Sequence, residues 1–214
     1  MPILPTSTLT ESITKPKLIL VEGRDELNFF NALLSKIQMF NEKKNLIEIV
    51  ELGGVDNLNN KLNALKSRTG FELVKSIAII RDSDGDKEAA FQSVQRILMN
   101  SGLSYPQNIF TYSDSQIRTG IFIMPGSING NMLEDLCLET VNDHPLTIEI
   151  DKYISAITQI DALDIPKNMS KAKTLMFLAS MPVIVNNLGL GAHKGYWDFE
   201  HSSLNTLINF INEL

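Results

Sequence analysis

Residues 74–86 read VKSIAIIRDSDGD, a near-continuous apolar run that stops at closely spaced aspartates and a glycine. A short apolar run bounded by turn residues is typical of a strand that is buried on both faces of a parallel sheet. Asp82 and Asp84 follow the run two positions apart, so in extended backbone their side chains point to the same side. The stretch therefore predicts a buried strand with carboxylates at its carboxyl end.

Strand-like and helical patterns alternate on either side of this run. The predicted strands are 17–21, 46–52 and 74–80, and the predicted helices are 25–36, 55–67 and 88–99. Such alternation predicts a parallel sheet with right-handed crossovers and helices on its faces. Residues 109–112 and 120–124 are also strand-like, and the turn-like residues between them allow an antiparallel hairpin at a sheet edge.

The second half of the chain has a helical pattern instead. The predicted helices are 132–140, 145–157, 167–179 and 204–214, and the glycine-rich residues 189–195 read as a loop between helices. The pattern predicts three parts: a flexible leader (1–16), an α/β core (17–125) and a helical extension packed on the core (126–214).

Composition narrows the class of protein. The 214 residues carry a formal net charge of −6, so the chain lacks the broad basic field of a dedicated nucleic-acid binder. A single cysteine, Cys137, excludes an intramolecular disulfide and a multi-cysteine zinc site. No segment approaches the roughly 18 apolar residues of a membrane span. Residues 1–15 show no secretion pattern, and we expect a cytoplasmic protein with no membrane partner.

The acidic residues at two strand ends predict a metal site. Glu22 follows the first strand, and Asp82 and Asp84 follow the third, so the carboxylates converge if these strands are neighbours. Carboxylate oxygens suit Mg²⁺, which commonly takes one or two of them and keeps water or phosphate for the rest. The alternative is a plain solvated turn, since Asp and Gly are turn formers. An EF-hand is excluded because Gly85 stands at the fourth loop position rather than the sixth.

Two stretches carry a family resemblance. Residues 18–26, LILVEGRDE, and 79–84, IIRDSD, resemble the Toprim domain of topoisomerases, primases and OLD-family nucleases, whose signature is a glutamate-glycine after the first strand and Asp-x-Asp after the third. This implies a Rossmann-like Toprim sheet over about residues 17–124. The motifs MLEDL (132–136), KAK (171–173) and GYWDF (195–199) are similar to the stand-alone Toprim-like DUF3226 group, which extends the resemblance to nearly the full chain.

The resemblance implies roles for particular residues. The implied ligands of Mg²⁺ (or Mn²⁺) are Glu22, Asp82, Asp84 and Glu134. The implied catalytic residues are Glu22 as acid/base and Lys171 or Lys173 as the cation at the phosphate. Arg24 and Arg81 are the implied phosphate-binding residues. Each has a simpler alternative: Glu134 can belong to a solvated acidic face, the lysines to the surface, and the arginines to salt bridges within the acidic turns. The two lysines lie two positions apart, so they do not share a helix face.

The implied function is Mg²⁺-dependent phosphodiester chemistry on nucleic acid, most simply that of a nuclease. The chain contains no Gly-x-x-x-x-Gly-Lys-Ser/Thr motif, so it is not a complete OLD enzyme with its own ATPase. The alternative is a non-catalytic metal- and phosphate-binding accessory module that works with a separate partner, such as an ATPase.

Overall fold

The computed structural model describes residues 12–54, 57–161 and 163–214. Its strands form one parallel sheet in the order β2-β1-β3-β4. Their bounds are Lys17–Val21 (β1), Ile47–Glu51 (β2), Ser76–Arg81 (β3) and Arg118–Ile123 (β4). The predicted α/β class with a parallel sheet is confirmed, and the sheet is consistent with the Rossmann-like arrangement that the Toprim resemblance implies. Most of the predicted leader, residues 1–11, lies outside the described residues.

Helices cover both faces of the sheet. Their bounds are Arg24–Lys36 (α1), Leu58–Lys66 (α2), Lys87–Asn100 (α3), Leu133–Glu139 (α4), Pro145–Ile157 (α5), Met169–Ala179 (α6), Leu188–Lys194 (α7) and Asn205–Glu213 (α8). Short 3-10 turns occur at Gln38–Phe40, Lys44–Leu46, Phe71–Leu73 and Ser202–Leu204. Within the described ranges, none of these helices is long and apolar enough to cross a membrane.

Two hydrophobic cores lie on opposite faces of the sheet. Successive strand side chains alternate between faces, and accordingly Leu18 and Leu20 pack in one core with α2 and α3, while Ile19 and Val21 pack in the other. This second core contains α1 together with apolar residues of α4 to α8. Residues from 126 onward therefore share a continuous core with the first strand.

The predicted antiparallel hairpin at the sheet edge is only partly formed. β4 pairs in parallel with β3 along its whole length, and residues 109–112 add one antiparallel bridge, between Tyr112 and Gly120. Two backbone hydrogen bonds flank this bridge: the N–H of Phe110 donates to the carbonyl oxygen of Ile121, and the N–H of Ser113 donates to that of Thr119. Phe110 lies in the left-handed region with a φ of 64°, so no regular fifth strand forms along the edge of β4.

The glycine-rich residues 189–195 are mostly a helix, not a loop as predicted. A Cβ atom at Gly189 would lie 2.4 Å from the Cβ atom of Asn28 on α1. The glycines therefore serve close packing of α7 against its neighbours, which outweighs their low helix propensity. The helix ends at Gly195, whose φ of 79° suits a glycine at the C-terminus.

Candidate functional site

The carboxyl ends of β1 and β3 bring two predicted acidic residues together. Because these strands are parallel neighbours, Glu22 and Asp82 leave the sheet at the same edge. The backbone N–H of Asp82 donates a hydrogen bond to Oε1 of Glu22 over 3.2 Å. The two acidic turns are thus joined directly.

The start of α4 is fixed over Asp82. The backbone N–H of Leu133 donates to Oδ1 of Asp82 over 3.1 Å. Next to it, Ser83 donates from its backbone N–H and from its hydroxyl to the carbonyl oxygen of Asn131, over 2.8 and 3.0 Å. These bonds pin the approach to α4 and place Glu134, the second residue of that helix, beside the strand ends.

The first turn of α1 adds two more carboxylates. Asp25 and Glu26 follow Gly23, which begins the helix directly after β1. Burial raises the pKa of Asp25, and the backbone N–H groups of Leu188 and Gly189 at the start of α7 partly offset that effect. Both acidic side chains therefore lie at the same edge of the sheet as Glu22.

We call Glu22, Glu26, Asp82 and Glu134 the carboxylate cluster. Burial, followed by the negative charges of Glu22, Glu134 and Glu26, raises the pKa of Asp82 from 3.8 to about 8. Burial also raises the pKa values of the three glutamates. Burial and mutual repulsion therefore disfavour the ionised forms of these carboxyl groups, and a bound cation would favour them.

Two cationic side chains border the cluster. Nζ of Lys171 on α6 lies 3.9 Å from Oε1 of Glu134 and partly offsets the effect of burial on that carboxyl pKa. Arg81 is 8% exposed, and its Nε lies 3.8 Å from Oε1 of Glu22. The cluster can therefore attract a cation at its centre and present positive side chains at its margin.

Asp84 pairs with Arg81. Its carboxylate accepts a hydrogen bond from Nη2 of Arg81 over 2.6 Å, and its side chain is 65% exposed. The backbone at Asp84 is left-handed, with a φ of 51°, so the extended geometry assumed for the two aspartates does not hold. The negative charge of Asp84 still helps to raise the pKa of Glu22.

Comparison with known proteins identifies the family. The family model described as "Protein of unknown function (DUF3226)" matches residues 16–214. The chain belongs to the DUF3226 family. No curated protein matches the sequence.

Solved structures similar to this DUF3226 protein are C-terminal regions of OLD proteins. That of Xanthomonas campestris pv. campestris is 14% identical, with a TM-score of 0.46 over 93% of this chain and 95% of its own. That of Burkholderia pseudomallei is 15% identical, with a TM-score of 0.47 over 94% of this chain and 98% of its own.

Two other candidate residues of the DUF3226 protein form salt bridges outside the carboxylate cluster. Nε of Arg24 lies 3.1 Å from Oε2 of Glu51 at the end of β2, in the salt bridge that was the alternative to phosphate binding. Nζ of Lys173 lies 2.5 Å from Oδ1 of Asp151 on α5. As expected from their spacing, Lys171 and Lys173 face different surroundings, and only Lys171 contacts the cluster.

Glu26 and Asp25 were missed among the candidate site residues. Acidic residues in the first turn of a helix are common because they complement the helix dipole, so their presence alone does not signal a site. The available signal was their position directly after Glu22-Gly23, since that turn places the start of α1 at the same sheet edge.

The cluster fits Mg²⁺ or Mn²⁺ in the chemistry of its donors. All are carboxylates, the hard oxygen ligands that these ions prefer, and their mutual repulsion is what a divalent cation would relieve. Over residues 12–54, 57–161 and 163–214, no three His, Cys, Asp or Glu side chains converge in a ready-made metal site. Mg²⁺ commonly takes only one or two carboxylates and keeps water at its other positions, and Glu22 and Asp82 at the adjacent strand ends would be these two ligands.

Proposed function

We propose that this DUF3226 protein is a Toprim-type nuclease that uses its carboxylate cluster with Mg²⁺ or Mn²⁺ to hydrolyse phosphodiester bonds in nucleic acid. The observation that carries the proposal is the meeting of Glu22 and Asp82 at two adjacent strand ends, with Glu26 and Glu134 brought in by two helix starts. Ligand sites in parallel α/β sheets lie at this edge.

The residues have separate tasks in this proposal. Asp82, with Glu22 or Glu134, would hold the ion, which supplies charge neutralisation at the phosphate and a polarised water. Burial raises the pKa of Glu22, which brings its proton affinity closer to what a general acid or base needs near neutral pH. Lys171 is half-exposed beside Glu134 and offers a cation to the phosphate. Arg81 holds Asp84 and lies near Glu22, so it orients the acidic turn.

The test is cleavage of plasmid DNA, single-stranded DNA and RNA in Mg²⁺ or Mn²⁺. We expect Asp82→Asn and Glu22→Gln to abolish cleavage and Lys171→Ala to reduce it. The matched control is Lys173→Ala, which removes a lysine from the same helix that pairs with Asp151. Full cleavage by Asp82→Asn would overturn the proposal.

Metal binding is measured separately by calorimetry with Mn²⁺. Binding that Asp82→Asn removes, without cleavage of any substrate, would favour the second candidate: an accessory module that binds metal and phosphate and acts with a separate partner. That candidate draws on the absence of an ATPase motif in a chain that still carries the cluster. Loss of both cleavage and metal binding from the wild type would remove both candidates.

A further inference from the structure

The starts of α4 and α6 meet beside the carboxylate cluster through two parallel contacts. Glu134 and Asp135 are neighbours in the first turn of α4, and residues 170 and 171 are neighbours in the first turn of α6. Nζ of Lys171 lies 3.9 Å from Oε1 of Glu134. The hydroxyl of Ser170 donates a hydrogen bond to Oδ1 of Asp135. One contact therefore belongs to the cluster, and the other joins the two helices directly next to it.

The two contacts differ in strength. The side chain of Lys171 is 59% exposed, and an exposed ion pair at this distance contributes little to the alignment of two helices. Ser170 and Asp135 are both half-buried, and a hydrogen bond to a carboxylate is of the stronger, charge-assisted kind. The bond between Ser170 and Asp135 therefore fixes the start of α6 more firmly than the ion pair does, and the position of Lys171 follows from it.

Asp135 also holds the turn that precedes α4. Its Oδ2 accepts hydrogen bonds from the backbone N–H of Asn131 over 2.7 Å and from that of Met132 over 3.1 Å. The bond to Met132 is ordinary for an acidic residue in the first turn, which often reaches back to the residue that caps the helix. The bond to Asn131 lies outside that motif. The next N–H along the chain, that of Leu133, donates to Asp82, so Asp135 holds the segment that supplies this donor.

Gly130 leaves room for the carboxylate of Asp135 to reach this turn. A Cβ atom at Gly130 would lie 2.6 Å from both Cβ and Cγ of Asp135 and 2.7 Å from its Oδ2. The φ of Gly130 is 130°, which also favours glycine. The backbone before α4 is therefore shaped around this one carboxylate.

We propose that Asp135 is a positioning residue that fixes both sides of the carboxylate cluster. One of its oxygens holds the turn that supplies the N–H bonded to Asp82. The other holds Ser170 and thereby sets Lys171 beside Glu134. In this role Asp135 needs no contact with a metal ion or a substrate. Its effect on cleavage rests on the proposed function, whereas the geometry that it sets can be measured without a substrate.

Two NMR signals test the geometry: the side-chain carboxyl ¹³C shift of Glu134 and the hydrogen exchange of the Leu133 amide. Lys171→Ala gives the reference change in the Glu134 shift. We expect Ser170→Ala to reproduce most of that change and to leave Leu133 exchange as it is. Asp135→Ala should change both signals and speed up Leu133 exchange about fivefold to tenfold, the range for the loss of one hydrogen bond. Asp135→Asn can still bond both backbone N–H groups and the Ser170 hydroxyl, so it should resemble the wild type.

A double-mutant cycle on cleavage separates positioning from a general loss of stability. Ser170→Ala should lower the cleavage rate about threefold to tenfold, the effect of one lost hydrogen bond. In the Lys171→Ala background it should cause no further loss, because Ser170 acts through Lys171. The control is Glu139→Ala, which removes a carboxylate of the same helix that accepts a hydrogen bond from Asn142. It should leave the cleavage rate and both NMR signals unchanged.

Three results would overturn the proposal. They are additive losses in the cycle, a Glu134 shift that Ser170→Ala leaves unchanged, and an Asp135→Asn variant as defective as Asp135→Ala. Ser170→Ala decides the matter if Asp135→Ala does not fold. A wild type that cleaves no substrate would remove the proposed function, while the Glu134 shift and Leu133 exchange would still decide the role of Asp135.

Discussion

Replacing Asp82 by asparagine should stabilise the metal-free protein at high pH. Asparagine keeps an oxygen that can accept the hydrogen bond from the backbone N–H of Leu133, but it carries no charge. Asp82 has its pKa raised from 3.8 to about 8 because it is buried among Glu22, Glu134 and Glu26. The substitution thus removes a charge that the folded state holds unfavourably.

The sign and size of the effect follow from linkage. A raised pKa in the folded state means that the protonated carboxyl contributes its full stability below about pH 4 and loses it as the pH rises to about 8. At about 1.4 kcal/mol for each pH unit, the change from 3.8 to about 8 sets an upper limit of about 6 kcal/mol. Because Glu22 and Glu134 share the repulsion, we expect a gain of about 2–3 kcal/mol for the variant above pH 8.

The assay is urea unfolding in EDTA at pH 4, 6 and 9. The difference in the free energy of unfolding between Asp82→Asn and the wild type should be near zero at pH 4 and grow towards pH 9. The control is Asp84→Asn, at an exposed carboxylate paired with Arg81, which should show no such growth. Adding Mg²⁺ at about 100 times its dissociation constant should stabilise only proteins with Asp82, by about 2.7 kcal/mol. A loss of stability at pH 9, or a gain independent of pH, would refute the reasoning.

Two other predictions concern the surroundings of the cluster. Gly189→Ala should lower the free energy of unfolding by about 2 kcal/mol or more, because its new Cβ would meet the Cβ of Asn28 at 2.4 Å. Gly191→Ala would meet Cδ2 of Leu178 at 2.6 Å and Nε1 of Trp197 at 3.2 Å, which are ends of side chains rather than a Cβ atom, and should cost less; equal losses in urea unfolding would contradict the packing explanation. Arg81→Met should raise the pKa of Glu22 further, since the arginine charge lowers it in the wild type. Carboxyl ¹³C shifts followed against pH test this, and an unchanged or lower pKa would speak against it.

The sheet could be predicted because its strands are buried on both faces. Such strands give uninterrupted apolar runs, and the predicted strand 17–21 coincides with β1. The strand ends then located Glu22 and Asp82 without knowledge of the side-chain positions. The sequence did not predict the order of the strands. The convergence of the carboxylates required β1 to lie beside β3, and the structure shows that it does.

The predictions that the structure changed depend on contacts between residues that are distant in the sequence. Gly189 reads as a loop residue by propensity, and its close approach to Asn28 on a distant helix explains why a glycine occupies this helical position. Asp84 follows Asp82 at a spacing that suggested extended backbone, but its backbone is left-handed and its carboxylate binds the buried guanidinium of Arg81. The spacing of residues in the sequence could not predict the pairing of Lys173 with Asp151, because Asp151 lies on another helix.

The excess of carboxylates in the cluster has a kinetic consequence. When its four carboxyl groups are ionised, they outnumber the two cations that border them among the described residues, Lys171 and Arg81, so a phosphate that approaches the ion-free protein meets net repulsion. In the proposed function, a divalent ion would neutralise these charges, so it would have to bind before the nucleic acid. The rate of encounter with the substrate would then rise with the concentration of free divalent ion and level off once the cluster is filled.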